Sequence, residues 1–126
     1  MDELLKLLNK INFGYDSIIR SLRIKDFDCA EVVISAQDHE LNKWVNIKFT
    51  INSLEECKII KNLKRNNVVL SSGIQIIEVS DIYYLDLDPY SEEYEPIEDL
   101  KYSELYFAGK SFRWEIEPYS ETEKNP

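Results

Sequence analysis

Trp44-Val45-Asn46-Ile47-Lys48-Phe49-Thr50-Ile51 alternates without a break, with Val45, Ile47, Phe49 and Ile51 on one side and Trp44, Asn46, Lys48 and Thr50 on the other. Successive side chains of an extended chain point to opposite faces, so this period of two specifies a strand with one face on a core and the other toward water. A slip of one residue would bury Lys48 and Thr50 in place of Phe49 and Ile51, which pins the register.

The same period runs outward in both directions. Upstream, Ile18, Arg20, Leu22 and Ile24 share one face of a first strand, and Val32, Ile34 and Ala36 share one face of a second. Between the second strand and the third lies Gln37-Asp38-His39-Glu40-Leu41-Asn42, polar and of hairpin length. Downstream come Val68–Leu70, a turn at Ser71-Ser72-Gly73, then Ile74–Val79 and Ile82–Leu87. Phe107 and Phe112 flank Ala108-Gly109-Lys110, which reads as a three-residue hairpin connection with Gly109 free to take positive φ. Leu105 and Phe107 precede that connection; Phe112, Trp114 and Ile116 follow it, and the polar tail after Pro118 is expected to fray.

Two segments carry helical spacing instead. Leu4, Leu5, Leu8 and Ile11 recur three or four apart, and Gly14 follows as a left-handed stop. Ser53-Leu54-Glu55-Glu56 has the form of a capping box, and Leu54, Cys57, Ile60 and Leu63 then trace a stripe toward Asn66. Early acids and late bases in that window suit a helix dipole, so its lysines need no ligand to explain them. Successive strands with short links and one helical crossover predict an α+β fold: a single domain over residues 1–126, mainly an antiparallel sheet of six or seven strands, with an N-terminal helix and one central helix on one face. The expected core contains Val45, Ile47, Phe49, Ile60, Leu63, Ile76, Leu105, Phe112, Trp114 and Ile116.

Composition bounds the function. A chain of 126 residues that is 44% hydrophobic supports one packed core, burying roughly two-thirds of its unfolded surface. The opening MDELLKLLNKI has acids where a secretory signal needs bases, and reads as mature protein of the cytoplasm. Fifteen Lys and Arg stand against 24 Asp and Glu, for a net charge of −9. That field opposes phosphate backbones and anionic lipid, so neither nucleic acid nor a membrane is an expected partner. Cys29 and Cys57 lie far apart without a CxxC pair and are expected as reduced core thiols.

No pattern for chemistry survives inspection. His39 stands alone in its loop, and a zinc site from Cys29, Cys57 and His39 would need three distant residues to converge without a local ligand pair. Asp86-Leu87-Asp88 could face a divalent ion with two carboxylates about 7 Å apart, but it equally fits outward acids at a strand end. An EF-hand loop is excluded because no glycine lies between Gly73 and Gly109. Phosphate loops, GxGxxG, GxSxG and HExxH are missing from the sequence. The expectation is a protein that is not an enzyme and needs no cofactor and no metal.

The charge is concentrated. Residues 86–104, DLDPYSEEYEPIEDLKYSE, hold eight acids and one base, which is seven of the nine excess negative charges, and seven of the eight tyrosines lie beyond residue 82. Asp86, Asp88, Tyr90, Glu92, Glu93, Tyr94, Glu95, Glu98, Asp99 and Tyr102 therefore form the candidate surface for a basic protein partner. Carboxylates steer association with a cationic surface, and tyrosine supplies rigid contact area with a hydroxyl. The expected function is an acidic inhibitor, such as an immunity protein or antitoxin that neutralises a basic toxin, for instance a nuclease. The alternatives are an adaptor or structural domain that uses a sheet edge or face, and a small-molecule binder with its ligand between sheet and helices. Phe49 tests the register beneath all of this: Phe49→Ala is expected to cost about 3–5 kcal/mol in chemical denaturation, the loss of a fully buried ring.

Overall fold

The computed structural model describes residues 2–60, 68–89 and 96–121. Helix α1 (Asp2–Lys10) leads through a 3-10 turn (Asn12–Gly14) into β1 (Ser17–Lys25), β2 (Cys29–Asp38), β3 (Lys43–Ile59), β4 (Val68–Leu70), β5 (Gln75–Val79) and β6 (Ile82–Asp86). A short helix α2 (Pro96–Leu100) and the long β7 (Leu105–Glu117) complete the order. The described strands form one antiparallel sheet, β4-β1-β2-β3-β7-β6-β5, curved into a half-barrel. The α+β class, the mainly antiparallel sheet of seven strands and the two helices agree with the sequence reading.

The apolar side of the deciding stretch lies where its alternation put it, but on the opposite side Asn46 and Thr50, expected toward water, are buried. Ile47, Phe49 and Ile51 are fully buried with Val45 beside them, and opposite them on β2 stand Ile34, Val32 and Ala30 with Ala36 at the end of the row. Leu4, Leu7 and Leu8 of α1, with Ile11 just past its end, join this cluster from the concave side. Leu7 takes the place expected of Leu5, which is exposed. At the C-terminal end of α1, the Lys10 carbonyl accepts the His39 N–H at 2.8 Å, so the helix end is tied to the β2–β3 hairpin. α1 ends at Lys10, before the glycine expected to stop it: Asn12 and Phe13 already take left-handed φ of 51° and 54°, and Gly14, at φ +77°, closes the 3-10 turn against Ile74. Ser80 and Asp81, both left-handed, make the two-residue turn from β5 to β6.

Three expectations about strand and helix placement are corrected. Ile18, Arg20, Leu22 and Ile24 do not share a face, because a bulge between Ile19 and Ser21 shifts the register. Ile19 and Leu22 therefore stand opposite the inward Ile34 and Val32, and Arg20 reaches the convex face, where its Nε donates to Ser35 Oγ at 2.9 Å. The capping box at Ser53 starts no helix. Ser53–Ile59 continues β3, with Ser53 at φ +52° next to a one-residue bulge between Leu54 and Glu56. Glu56 accepts a hydrogen bond from the Tyr106 hydroxyl across the ladder rather than capping its own chain. Helical propensity here is overridden by strand partners on β7 about fifty residues away. The second helix is α2, at Pro96–Leu100.

The third correction is Ala108-Gly109-Lys110, which is no hairpin. β7 runs straight through it, with Gly109 paired to Leu54 on one side and Tyr83 on the other. A Cβ at Gly109 would lie 2.5 Å from Ile51 Cγ2 and 2.7 Å from the Asn52 carbonyl, so glycine serves a close strand approach and not a turn.

β2 ends opposite Asn52, which leaves Ser53–Ile59 with β7 as the one described strand beside it, apart from the Leu54 N–H that donates to the Asp28 carbonyl at 2.9 Å. Cys57, Ile59 and Ile60 are exposed there, against the expectation that Cys57 and Ile60 are core. Cys29 is half-buried, and both thiols are free. Phe112 and Trp114 pack against the core but are only partly buried, and Ile116 is exposed. Leu63 lies outside the described residues. Of the tail, Tyr119 and Ser120 return to the convex face: Arg20 donates to the Tyr119 hydroxyl at 3.2 Å and Asn46 Nδ2 to the Ser120 carbonyl at 3.2 Å. No described helix is long and apolar enough to cross a membrane. Gly109→Ala is expected to lower stability by about 1–3 kcal/mol through overpacking at the strand crossing, read from urea midpoints.

Candidate functional site

The acidic residues occupy the excursion from the end of β6 to the start of β7, two strands that lie side by side. Neighbouring strands hold its ends together, and side chains lace the neck. Leu87 N–H donates to the Leu105 carbonyl at 3.0 Å. Asp86 Oδ1 accepts from Ser103 Oγ at 2.7 Å and from the Asp88 N–H at 2.9 Å. Asp88 Oδ2 accepts the Glu104 N–H at 3.0 Å. The Asp86-to-Asp88 bond is the local Asx turn that lets a strand end turn sharply.

Asp86 and Ser103 are both fully buried. A carboxylate out of water must be matched by donors, and the Ser103 hydroxyl and the Asp88 amide supply them. The Asp86 carboxylate thus presents nothing to a partner in this conformation; its part in the excursion is to hold the neck. Asp88 is half-buried and closes the same neck from the other side. Neither acid belongs to an exposed pair facing an ion.

Beyond the neck, Pro96 opens α2, the position where its missing N–H costs least, and Glu98 and Asp99 occupy the first turn. Buried Leu100 anchors this short helix to the interior. The Tyr102 N–H to Asp99 carbonyl and Ser103 N–H to Leu100 carbonyl bonds, 3.0 and 3.1 Å, then turn the chain back toward the neck. Glu98 is exposed and pairs with Lys101 at 2.9 Å; this bond raises the Lys101 ammonium above its ordinary pKa, and the same ammonium lies 5.4 Å from the Tyr102 ring centre. Tyr102 is exposed, whereas Asp99 is buried. Of the ten residues expected to contact a partner, Glu98 and Tyr102 are thus the described ones that are exposed, with Asp88 half-buried. Tyr90, Glu92, Glu93, Tyr94 and Glu95 lie outside the described residues. Ser103 escaped the sequence reading because its bond spans seventeen positions, and no local pattern ties residue 103 to residue 86.

The convex face carries a second polar arrangement. Lys25 bonds Glu31 and Lys48 bonds Glu115, each at 2.9 Å. The Lys25 bond holds the Glu31 carboxyl below its usual pKa, and the Glu115 bond holds Lys48 above its own. Next to the second pair, Lys48, Thr50, Arg113, Trp114 and Glu115 line a shallow cavity of about 280 Å³. It lies on β3 and β7, away from the concave side where a ligand between sheet and helix would sit.

Comparison with protein families, with curated proteins and with solved structures finds no match. The neck yields a stability test. Asp86→Ala strips the buried Ser103 hydroxyl and Asp88 amide of their acceptor and is expected to cost about 2–3 kcal/mol, whereas exposed Glu98→Gln should stay within about 0.5 kcal/mol of wild type. Denaturant titration of the two variants reads the difference.

Proposed function

We propose that the chain is a cytoplasmic, acidic protein-binding domain that inhibits a basic protein, in the manner of an immunity protein or antitoxin neutralising a toxin. The observation that carries this reading is the laced neck at Asp86, Asp88, Ser103 and Glu104, which fixes the base of the segment holding most of the excess negative charge. A charged segment on a fixed base loses less conformational freedom on binding than a free tail of the same composition. A nuclease or similar toxin must hold phosphates and so carries a cationic cleft, and carboxylates presented from one place can occupy that cleft in their stead. Tyr90, Tyr94 and Tyr102 lie between these acids in sequence and are suited to anchor the contact. The reading assigns binding rather than catalysis, with no cofactor and no role for nucleic acid or membrane.

The experiment is capture of the partner from native cells, followed by association and dissociation kinetics across a salt series. Glu92, Glu93, Glu95 and Glu98 are exchanged together for glutamine; Asp99 is spared because it is buried. The fold should stay intact while the association rate falls and loses most of its salt dependence. Tyr90→Ala and Tyr94→Ala should each cost about 2 kcal/mol, expressed as faster dissociation. A captured partner indifferent to all six changes would exclude the excursion as the binding surface.

A further inference from the structure

β6 flanks β7 only from Tyr106 to Gly109, whereas β3 accompanies its other edge as far as Glu117. Beyond Ser111 the second edge of β7 has no described strand beside it. The described chain that follows does not cover it, since Tyr119 lies against Trp44 at 6.2 Å between ring centres and within reach of Arg20, over the convex face of β1–β3. Natural proteins blunt such edges with proline, with charged side chains or with a bulge. From Ser111 to Glu117 there is no proline, the ladder to β3 is regular, and the charges present, Arg113, Glu115 and Glu117, are of both signs.

The residues on this edge have a particular symmetry. Phe112, Trp114 and Ile116 face the concave side, where Phe112 and Trp114 are only partly covered and Ile116 is 49% exposed. Arg113 and Glu115 face the convex side and are exposed. Counted outward from Trp114, apolar residues stand at equal distances on both sides, and so do one cation and one anion. We propose that two copies of this chain pair antiparallel along Phe112–Ile116 about a two-fold axis at Trp114, extending the sheet from one copy into the other.

In that register Arg113 of each copy faces Glu115 of the other, Phe112 faces Ile116, and Trp114 faces its own counterpart. Residues directly opposite in an antiparallel pair share a face, so the apolar contacts gather on the concave side and the ion pairs on the convex side. Registers centred on Arg113 or on Glu115 place like charges opposite each other and are disfavoured. A two-fold contact must be self-complementary, which this segment satisfies and which an unrelated partner strand would not require. Arg113 has no ion pair with a described carboxylate of its own chain, and Glu115 of the second copy supplies one. The net charge of −9 opposes self-association, but salt near physiological strength screens exposed charges beyond about 8 Å. One strand pairing is a small interface, so the dimer is weak and depends on concentration.

Sedimentation velocity on the full chain, from low-micromolar to sub-millimolar protein, tests the proposal. The wild type should shift from monomer to dimer across that range. Arg113→Glu sets anion against anion and Glu115→Arg sets cation against cation, and the axis makes each change act twice, so each variant alone should dimerise at least about tenfold more weakly. Mixed in equal amounts, the two variants should associate with each other, because each carries the charges the other lacks. Melting curves check that both are folded, since Glu115→Arg also removes the ion pair with half-buried Lys48. A wild type that stays monomeric throughout, a dimer indifferent to both substitutions, or two variants that fail to associate on mixing would overturn the proposal.

Discussion

The pairing of β3 with β7 is the constraint on which the remaining structure depends. It runs from Asn46 opposite Glu117 to Ile59 opposite Leu105, and it is the one junction in the sheet between the N-terminal strands and the C-terminal ones. β1 and β2 flank one half of this ribbon, and β5 and β6 flank the other. Without it the chain would hold two separate strand groups, neither with enough apolar surface to close a core of its own. Its partners lie far apart in sequence, so it forms only after a large loss of chain entropy and should appear late in folding.

A ribbon this long cannot stay flat while its two halves are flanked from opposite sides. The bulge after Leu54, the left-handed Ser53 and the missing side chain at Gly109 sit at the same crossing, where β2 stops and β6 begins. Bulges sharpen local twist, and glycine admits the backbone approach that the twist demands. The same offset leaves each half of the ribbon with one edge that no described strand covers. On β3 that edge brings Cys57, Ile59 and Ile60 to the surface; on β7 it exposes the self-complementary stretch around Trp114.

Carboxylates in this chain do two different jobs, and burial separates them. Asp86, fully buried, is an acceptor matched by a hydroxyl and an amide, and its worth lies in what would be stranded without it. Glu98, in water and beside Lys101, adds little to stability because an exposed pair is solvated in either state. Of the acids collected in residues 86–104, Asp86 and Asp99 are buried, whereas Glu98 and Glu104 stand in water. An acid-rich stretch read as a uniform patch therefore contains both a fastening and a surface.

How much was legible follows from the range of the interactions involved. Alternation from Trp44 to Ile51 and from Val32 to Ala36 determined two central strands, their inward faces and the antiparallel class, because the burial of a strand residue depends first on its parity. The concentration of acid in residues 86–104 was equally plain, since charge is a property of composition. The strand through Ser53–Ile59, the continuous β7, the exposure of Ile60 and Ile116 and the burial of Asp86 were decided by tertiary structure alone. Ser53-Leu54-Glu55-Glu56 is a sound helix start by every local measure, yet its backbone groups are better matched by Leu105–Gly109 of β7. Local windows register propensity and period, whereas the competing free energy there comes from a ladder whose second strand lies half the chain away.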